Sequence, residues 1–219
     1  MHKVVDNLLN IKNQLKDFGF NKKNPAPKLI AVSKNFSIQE ILPLIEFGHL
    51  DFGENKVQEA INKWSNTKEQ YPFIQLHMIG KLQTNKVKFV IPLFDYIHSL
   101  DSVKLAEKIA IEQQKKSRKL KIFIQVNIGN ESQKNGLAVD ELQDFYKKCT
   151  EELKLNIVGL MCIPPQDQQV SKHFKQMKQL NEILNLKELS MGMSEDYMEA
   201  IEYGATYVRV GSKIFGARI

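Results

Sequence analysis

The sequence predicts an α/β fold: a single (β/α)8 barrel of the TIM type with an extra N-terminal helix, forming one domain over residues 1–219. Three observations carry this expectation. Eight short apolar runs recur along the chain, and helix-patterned segments separate them. The first run is followed by Val32-Ser33-Lys34-Asn35 and not by the Gly-rich turn that opens a doubly wound sheet. Strands alternating with helices imply a parallel sheet wrapped by helices, and eight such units suggest closure.

Val4, Val5, Leu8, Leu9, Ile11, Leu15 and Phe18 recur at helical spacing, and Gly19 follows as a stop signal. Pro25 and Pro27 then break the chain, and Leu29–Ser33 reads as a buried strand. Further strands are expected over 50–53, 73–79, 96–100, 122–128, 157–161, 189–193 and 207–210. Helices are expected over 37–47, 54–65, 81–90, 102–116, 138–152, 168–185 and 195–203. No linker, low-complexity stretch or shift in composition marks a second domain.

Composition narrows the function classes. Hydrophobic residues make up 42% of the 219, enough for a sizeable core, and the 26% of charged residues is ordinary for a globular protein. The net charge of +6 comes from lysines spread along the chain. The densest group, Lys115, Lys116, Arg118, Lys119 and Lys121, reads as a solvated connection, so no nucleic-acid partner is expected. Cys149 and Cys162 form no CxxC pair, which suits free thiols in a reducing cytoplasm. The five histidines have no metal-ligand spacing, and no metal is expected. No apolar run approaches the roughly 18 residues of a membrane span, and residues 1–20 read as an amphipathic helix, not a signal peptide. A cytoplasmic monomer is the expectation.

In barrels of this type the site lies at the C-terminal ends of the strands. Lys34 ends the first strand on the face shared by Ile30 and Val32. If those two line the core, Lys34 points into the mouth, where a desolvated amine is a nucleophile suited to Schiff-base chemistry. A surface lysine just past a strand is the plain alternative. Near the seventh strand's end, Met193 and Ser194 precede a helix-patterned segment that Ser194 can cap and whose start offers amide groups to an anion. Gly211-Ser212 supplies a second small turn. Loops after strands seven and eight often bind phosphate, although Glu195 and Asp196 count against an anion and a plain cap and turn remain open. Arg209 faces opposite to Val208 and Val210. Inside a barrel it requires a partner, either an internal carboxylate or an acceptor on a ligand such as a ring nitrogen.

These residues sit in strings that resemble the pyridoxal phosphate homeostasis protein family, relatives of the N-terminal barrel of alanine racemase. The strings run in order over nearly the whole chain: Ala31-Val32-Ser33-Lys34, then Phe52-Gly53-Glu54-Asn55-Lys56-Val57-Gln58-Glu59, then His77-Met78-Ile79-Gly80-Lys81-Leu82-Gln83-Thr84-Asn85-Lys86. Ser99-Leu100-Asp101-Ser102, Gln125-Val126-Asn127-Ile128 with Lys134-Asn135-Gly136, and Gly159-Leu160-Met161-Cys162-Ile163-Pro164 continue the series. Leu189-Ser190-Met191-Gly192-Met193-Ser194 and the stretch from Val208 to Arg218 close it.

The resemblance implies an alanine racemase N-terminal-domain-like fold and pyridoxal 5′-phosphate held on Lys34 as a Schiff base. Ser194, Gly211 and Ser212, with the backbone near Met193, would grip the phosphate. Arg209 would face the pyridine nitrogen, and Asn55 and His77 would lie around the ring. Phe36 stands where many members carry a second lysine, Ser212 stands where threonine is common, and Lys134 matches a lysine that could serve as a secondary acceptor. The implied role is carrying the cofactor and maintaining pyridoxal phosphate and amino-acid pools, with free amino acids and pyridoxal-phosphate-dependent apo-enzymes as partners. A small amino-acid racemase is the alternative. It needs a second acid/base group, which in alanine racemase comes from a further β-domain, and this sequence ends directly after the eighth unit, so a non-catalytic carrier is expected. A cofactor-free Schiff-base aldolase is a third reading.

Overall fold

The computed structural model describes residues 2–22, 26–131, 135–165 and 170–216. Eight parallel strands close into a barrel in sequence order, β1 (Lys28–Val32), β2 (Asp51–Glu54), β3 (Gln75–Met78), β4 (Tyr96–Leu100), β5 (Lys121–Gln125), β6 (Ile157–Met161), β7 (Glu188–Ser190) and β8 (Tyr207–Val210). Closure is made by β1 on β8, in register from Lys28 opposite Tyr207 to Ala31 opposite Val210.

The helices are α1 (Lys3–Lys22) before the barrel, α2 (Ile38–Glu46), α3 (Val57–Gln70), α4 (Val87–Leu93), α5 (Val103–Lys115), α6 (Leu142–Lys147), α7 (Val170–Ile183), α8 (Tyr197–Glu202) and α9 (Ser212–Phe215). The stripe Val5, Leu8, Ile11 and Leu15 on α1 is buried, each side chain contributing about 2 kcal/mol of burial. Polar bonds fix where the helix lies. Asn7 Nδ2 donates to the Ile214 carbonyl at 2.9 Å, and the Tyr197 hydroxyl donates to Gln14 Oε1 at 2.5 Å. The extra helix therefore braces α8 and α9, the two segments that follow the seventh and eighth strands.

Side-chain alternation sorts the core into two layers. Ala31, Phe52, Ile97, Ile124, Leu160, Val208 and Val210 face outward into the layer under the helices. Ile30, Tyr96, Phe123, Met161 and Tyr207 fill the inside of the barrel. Ile30 is thus inward, as the expected face of Lys34 requires, and Arg209 lies in phase with inward Tyr207.

Several boundaries differ from expectation. β3 starts at Gln75, not Phe73, whose ring is 77% exposed. β5 stops at Gln125 because the next residues pair with an incoming loop: the Asn127 amide donates to the Leu137 carbonyl and the Leu137 amide to the Gln125 carbonyl. β7 stops at Ser190, before Gly192 turns the chain at φ +88°. A side chain at Gly192 would also meet the Ala200 methyl at 2.6 Å, so glycine is required there both for its backbone and for its space. Lys134, the expected secondary acceptor, lies outside the described residues.

Candidate functional site

A cavity of about 930 Å³ opens at the C-terminal ends of the strands. Lys34, Asn55, Met193, Ser194, Arg209, Gly211 and Ser212 all line it, with Val32 and Ile79 forming apolar wall. The ends of β1, β2, β3, β7 and β8 thus bring together residues scattered across the sequence.

His77 is the exception. It does not line the cavity but lies wholly inside the barrel, because β3 sets it opposite Gly53 on one side and Tyr96 on the other, while Ile79 and Gly80 occupy the rim above it. Its ring stacks on Tyr96 with centroids 4.2 Å apart. Its nitrogens lie 3.0 Å from His98 Nε2 and 3.1 Å from Asp51 Oδ1. At this depth it can act on a ring in the cavity only through the groups above it.

Lys34 is mounted on a network that sequence reasoning passed over. Glu54, fully buried at the end of β2, accepts through Oε1 from the Ser33 hydroxyl at 2.7 Å, Lys63 Nζ at 2.8 Å and the Trp64 indole N–H at 2.9 Å. Lys63 also donates to the Ser33 carbonyl at 2.8 Å and to Glu59 at 3.0 Å. Glu59 in turn accepts from the Asn35 amide at 2.6 Å, where the backbone takes φ +66°. Both neighbours of Lys34 are therefore tied to α3. The sequence carried a signal: Glu54, Lys63 and Trp64 are a carboxylate, a cation and an indole donor, and a buried charge needs such partners.

On the far side, Gly211 and Ser194 touch, the Gly211 amide donating to the Ser194 hydroxyl at 3.3 Å. Ser194 is not the cap of α8. That helix begins at Tyr197 with Asp196 at its N-cap position, and Asp196 Oδ1 accepts from the Met193 amide at 2.5 Å. The Met193 amide is thus already used, and the Gly211 amide is spent on Ser194, which leaves the hydroxyls of Ser194 and Ser212 as the polar donors of this rim. Gly211-Ser212, read as a turn, opens the short helix α9.

Arg209 is 4% exposed. Its two terminal nitrogens donate to the Ser190 hydroxyl and the Cys162 carbonyl, both at 2.7 Å. Asn55 is pressed from behind by Gly80, where an added Cβ would lie 2.3 Å from the Asn55 carbonyl oxygen. The Asn55 side-chain oxygen is buried without a hydrogen-bond partner, an acceptor that a bound group would satisfy. Burial pushes the Cys162 thiol up to about 12, the nearby Arg209 opposing, so it is no nucleophile.

Three buried histidines make acid stability a test of this interior. Burial holds His49 down to about 4, and lowers His77 and, more strongly, His98 from the ordinary 6.5. Unfolding exposes all three at ordinary values, so the unfolded chain binds more protons below about pH 6.5 and stability falls as pH falls. Between pH 7.5 and 5.5 His49 alone is expected to remove about 1.4 kcal/mol, and His77 and His98 act in the same direction. Urea midpoints at the two pH values measure this, and equal midpoints would mean the rings are charged in the fold.

The profile of the family described as "Alanine racemase, N-terminal domain" matches residues 7–219. A pyridoxal phosphate homeostasis protein of Pasteurella multocida (strain Pm70) is 35% identical over 227 residues, spanning 98% of this chain and 97% of that protein. The protein of that name from Escherichia coli (strain K12) is 34% identical over 199 residues, 87% of this chain and 85% of its own. Among solved structures, PipY of Synechococcus elongatus PCC7942 with PLP bound superimposes at TM-score 0.87 and 33% identity, covering 97% of this chain and 100% of that one. An alanine racemase of Clostridium difficile 630 shares the fold at TM-score 0.76 and 15% identity, with 57% of its chain covered.

Proposed function

The chain belongs to the alanine racemase N-terminal domain family and, within it, to the pyridoxal phosphate homeostasis proteins, and from that membership we propose that it binds pyridoxal 5′-phosphate through Lys34 and serves to hold and release that cofactor. The single observation that carries the reading is the convergence of Lys34, Arg209, Ser194, Gly211 and Ser212 on one cavity.

The residues suit the cofactor's chemistry. Pyridoxal phosphate supplies an aldehyde on an electron-poor ring. The Lys34 amine condenses with that aldehyde with loss of one water. Ser194 and Ser212 hydroxyls hold the phosphate, joined by the Gly211 amide once it turns from Ser194 to the anion, and a cavity of this size accommodates a ligand of that class. Arg209, always charged and without an acceptor atom, faces the ring nitrogen and keeps it unprotonated. That weakens the ring as an electron sink and favours storage over carbanion chemistry. Asn55 offers its unsatisfied oxygen to the ring's polar edge.

A racemase needs an acid/base group on each face of its substrate. Among the described residues lining the cavity there is no tyrosine or histidine to supply the second beside the Lys34 amine, Asp196 is engaged by the Met193 amide, and Glu195 is the remaining acidic side chain. The carrier reading is therefore preferred, with free amino acids and apo-enzymes as the acceptors that draw the cofactor off. Unchanged chirality of alanine incubated with loaded protein supports it, and loss of optical activity would replace it with the racemase.

Borohydride reduction of the loaded protein followed by peptide mapping is expected to place the label on Lys34. A label found only elsewhere would end the reading. Replacing Ser194 and Ser212 together by alanine is expected to weaken pyridoxal phosphate by about tenfold or more, two charge-assisted hydrogen bonds being lost. Unphosphorylated pyridoxal should be little affected, and equal weakening of both would take these hydroxyls off the phosphate.

A further inference from the structure

We propose that Asp51, His77, His98 and Ser190 form one directed hydrogen-bond chain that crosses the barrel interior and positions Arg209. The inference rests on the reading that Arg209 meets the cofactor ring. Its components come from β2, β3, β4 and β7, and join the cavity at the C-terminal rim to the opposite mouth, where Asp51 lines a separate pocket with Lys12, Lys28 and His49.

The direction of every link follows from one fact. Guanidinium has no acceptor, so Arg209 Nη1 donates to Ser190 Oγ at 2.7 Å. The hydroxyl has a single proton, and its other neighbour is His98 Nδ1 at 2.9 Å, so the proton points there. His98 Nδ1 is then an acceptor, and a neutral His98 carries its proton on Nε2, 3.0 Å from His77 Nδ1. His77 in turn carries its proton on Nε2, 3.1 Å from Asp51 Oδ1. The chain reads Arg209 to Ser190 to His98 to His77 to Asp51, each group donating to the next and ending on a carboxylate.

The surroundings favour this neutral arrangement. Both rings are fully buried, stacked on Tyr96 and Phe123. Burial resists the protonation of His98 most, and the neighbouring His77 and positive Arg209 act in the same direction. His77 faces Asp51, Asp95 and Lys28, and burial outweighs the carboxylates. Asp51 faces His77, His49, Lys28 and Lys12, which hold its carboxyl below the usual range despite burial. Among the described residues no carboxylate bonds directly to Arg209; Asp196 acts on it through space, and the carboxylate that ends its chain, Asp51, lies beyond Ser190, His98 and His77. Two guanidinium nitrogens committed to the wall leave one orientation for the edge that faces the cavity.

The histidine side chains of the ¹⁵N-labelled, cofactor-free protein test the chain by long-range ¹H–¹⁵N correlation. His77 and His98 are expected as neutral Nε2–H tautomers from pH 8 to 6, and Asp51→Ala is expected to shift the His98 nitrogens two links away. A cationic His77 with His98 protonated on Nδ1, or a His98 blind to Asp51→Ala, overturns the chain. In loaded protein, Asp51→Ala is expected to move the visible absorption maximum and raise the cofactor dissociation constant about fivefold, the size of one lost hydrogen bond. Asp51→Asn, which keeps an accepting oxygen, is expected to restore both. Loaded Asp51→Ala identical to the parent protein overturns the positioning role. A parent protein that takes up no cofactor sinks the functional reading instead, and leaves the tautomer result standing.

Discussion

Lys34→Ala is expected to abolish the visible absorbance and the borohydride-fixable label, while the unfolding midpoint moves by no more than about 0.5 kcal/mol, the usual range for a side chain outside the core. The residue follows β1 and lines the cavity only partly buried, so its truncation opens no core void. What it removes is the amine. Lys34→Arg separates that chemistry from charge, because arginine stays protonated and cannot condense with an aldehyde. Both variants should therefore lose covalent retention, and both should still bind the cofactor weakly through Ser194, Gly211 and Ser212. Retained label in either variant would reassign the attachment. Lys134 is the lysine to map next, and a double replacement with Lys34 separates a primary from a secondary acceptor.

The parts of this site that were legible in the sequence are those set by local backbone geometry. Alternation along a strand put Lys34 in phase with Ile30 and Arg209 out of phase with its valine neighbours, and both phases are those of the fold. The barrel's eight-unit rhythm was readable for the same reason. Depth was not. Whether a strand residue lies at the rim or in the interior depends on the stagger between neighbouring strands, a non-local quantity, and the burial of His77 below Ile79 and Gly80 is set in that way. The four residues of α9 are too few to show a period, so Ser212 read as a turn. Ser194 had the chemistry of a cap, but the chain turns at Gly192 and the helix starts later, at Tyr197. The polar chain from Arg209 to Asp51 has no local signature, because each of its members comes from a different strand. An internal carboxylate and a ligand acceptor are the two partners the sequence suggests for Arg209, and its partners in the fold are the Ser190 hydroxyl and the Cys162 carbonyl.

The network behind Lys34 leads to the largest expected loss of stability. Glu54→Ala should cost about 3–5 kcal/mol, the range for breaking a buried ion pair by removing one partner. The carboxylate is fully buried, and Lys63, only 7% exposed, would keep the Ser33 carbonyl and Glu59 but lose its closest buried counter-charge. The Ser33 hydroxyl and the Trp64 indole N–H would lose their acceptor as well. Glu54→Gln keeps the shape and one acceptor oxygen, so it should cost clearly less, about 1–2 kcal/mol. Trp64 is the chain's one tryptophan, and its fluorescence in urea reads the transition at the network itself. Equal midpoints for Glu54→Ala and the parent protein would mean the carboxylate holds nothing together. Because the same oxygen fixes Ser33, one residue before Lys34, Glu54→Gln should also weaken cofactor retention in protein that is still fully folded. Attachment of the amine and stability of the β1–β2–α3 corner then move together, as they must if the lysine works from a mount and not from a loose rim.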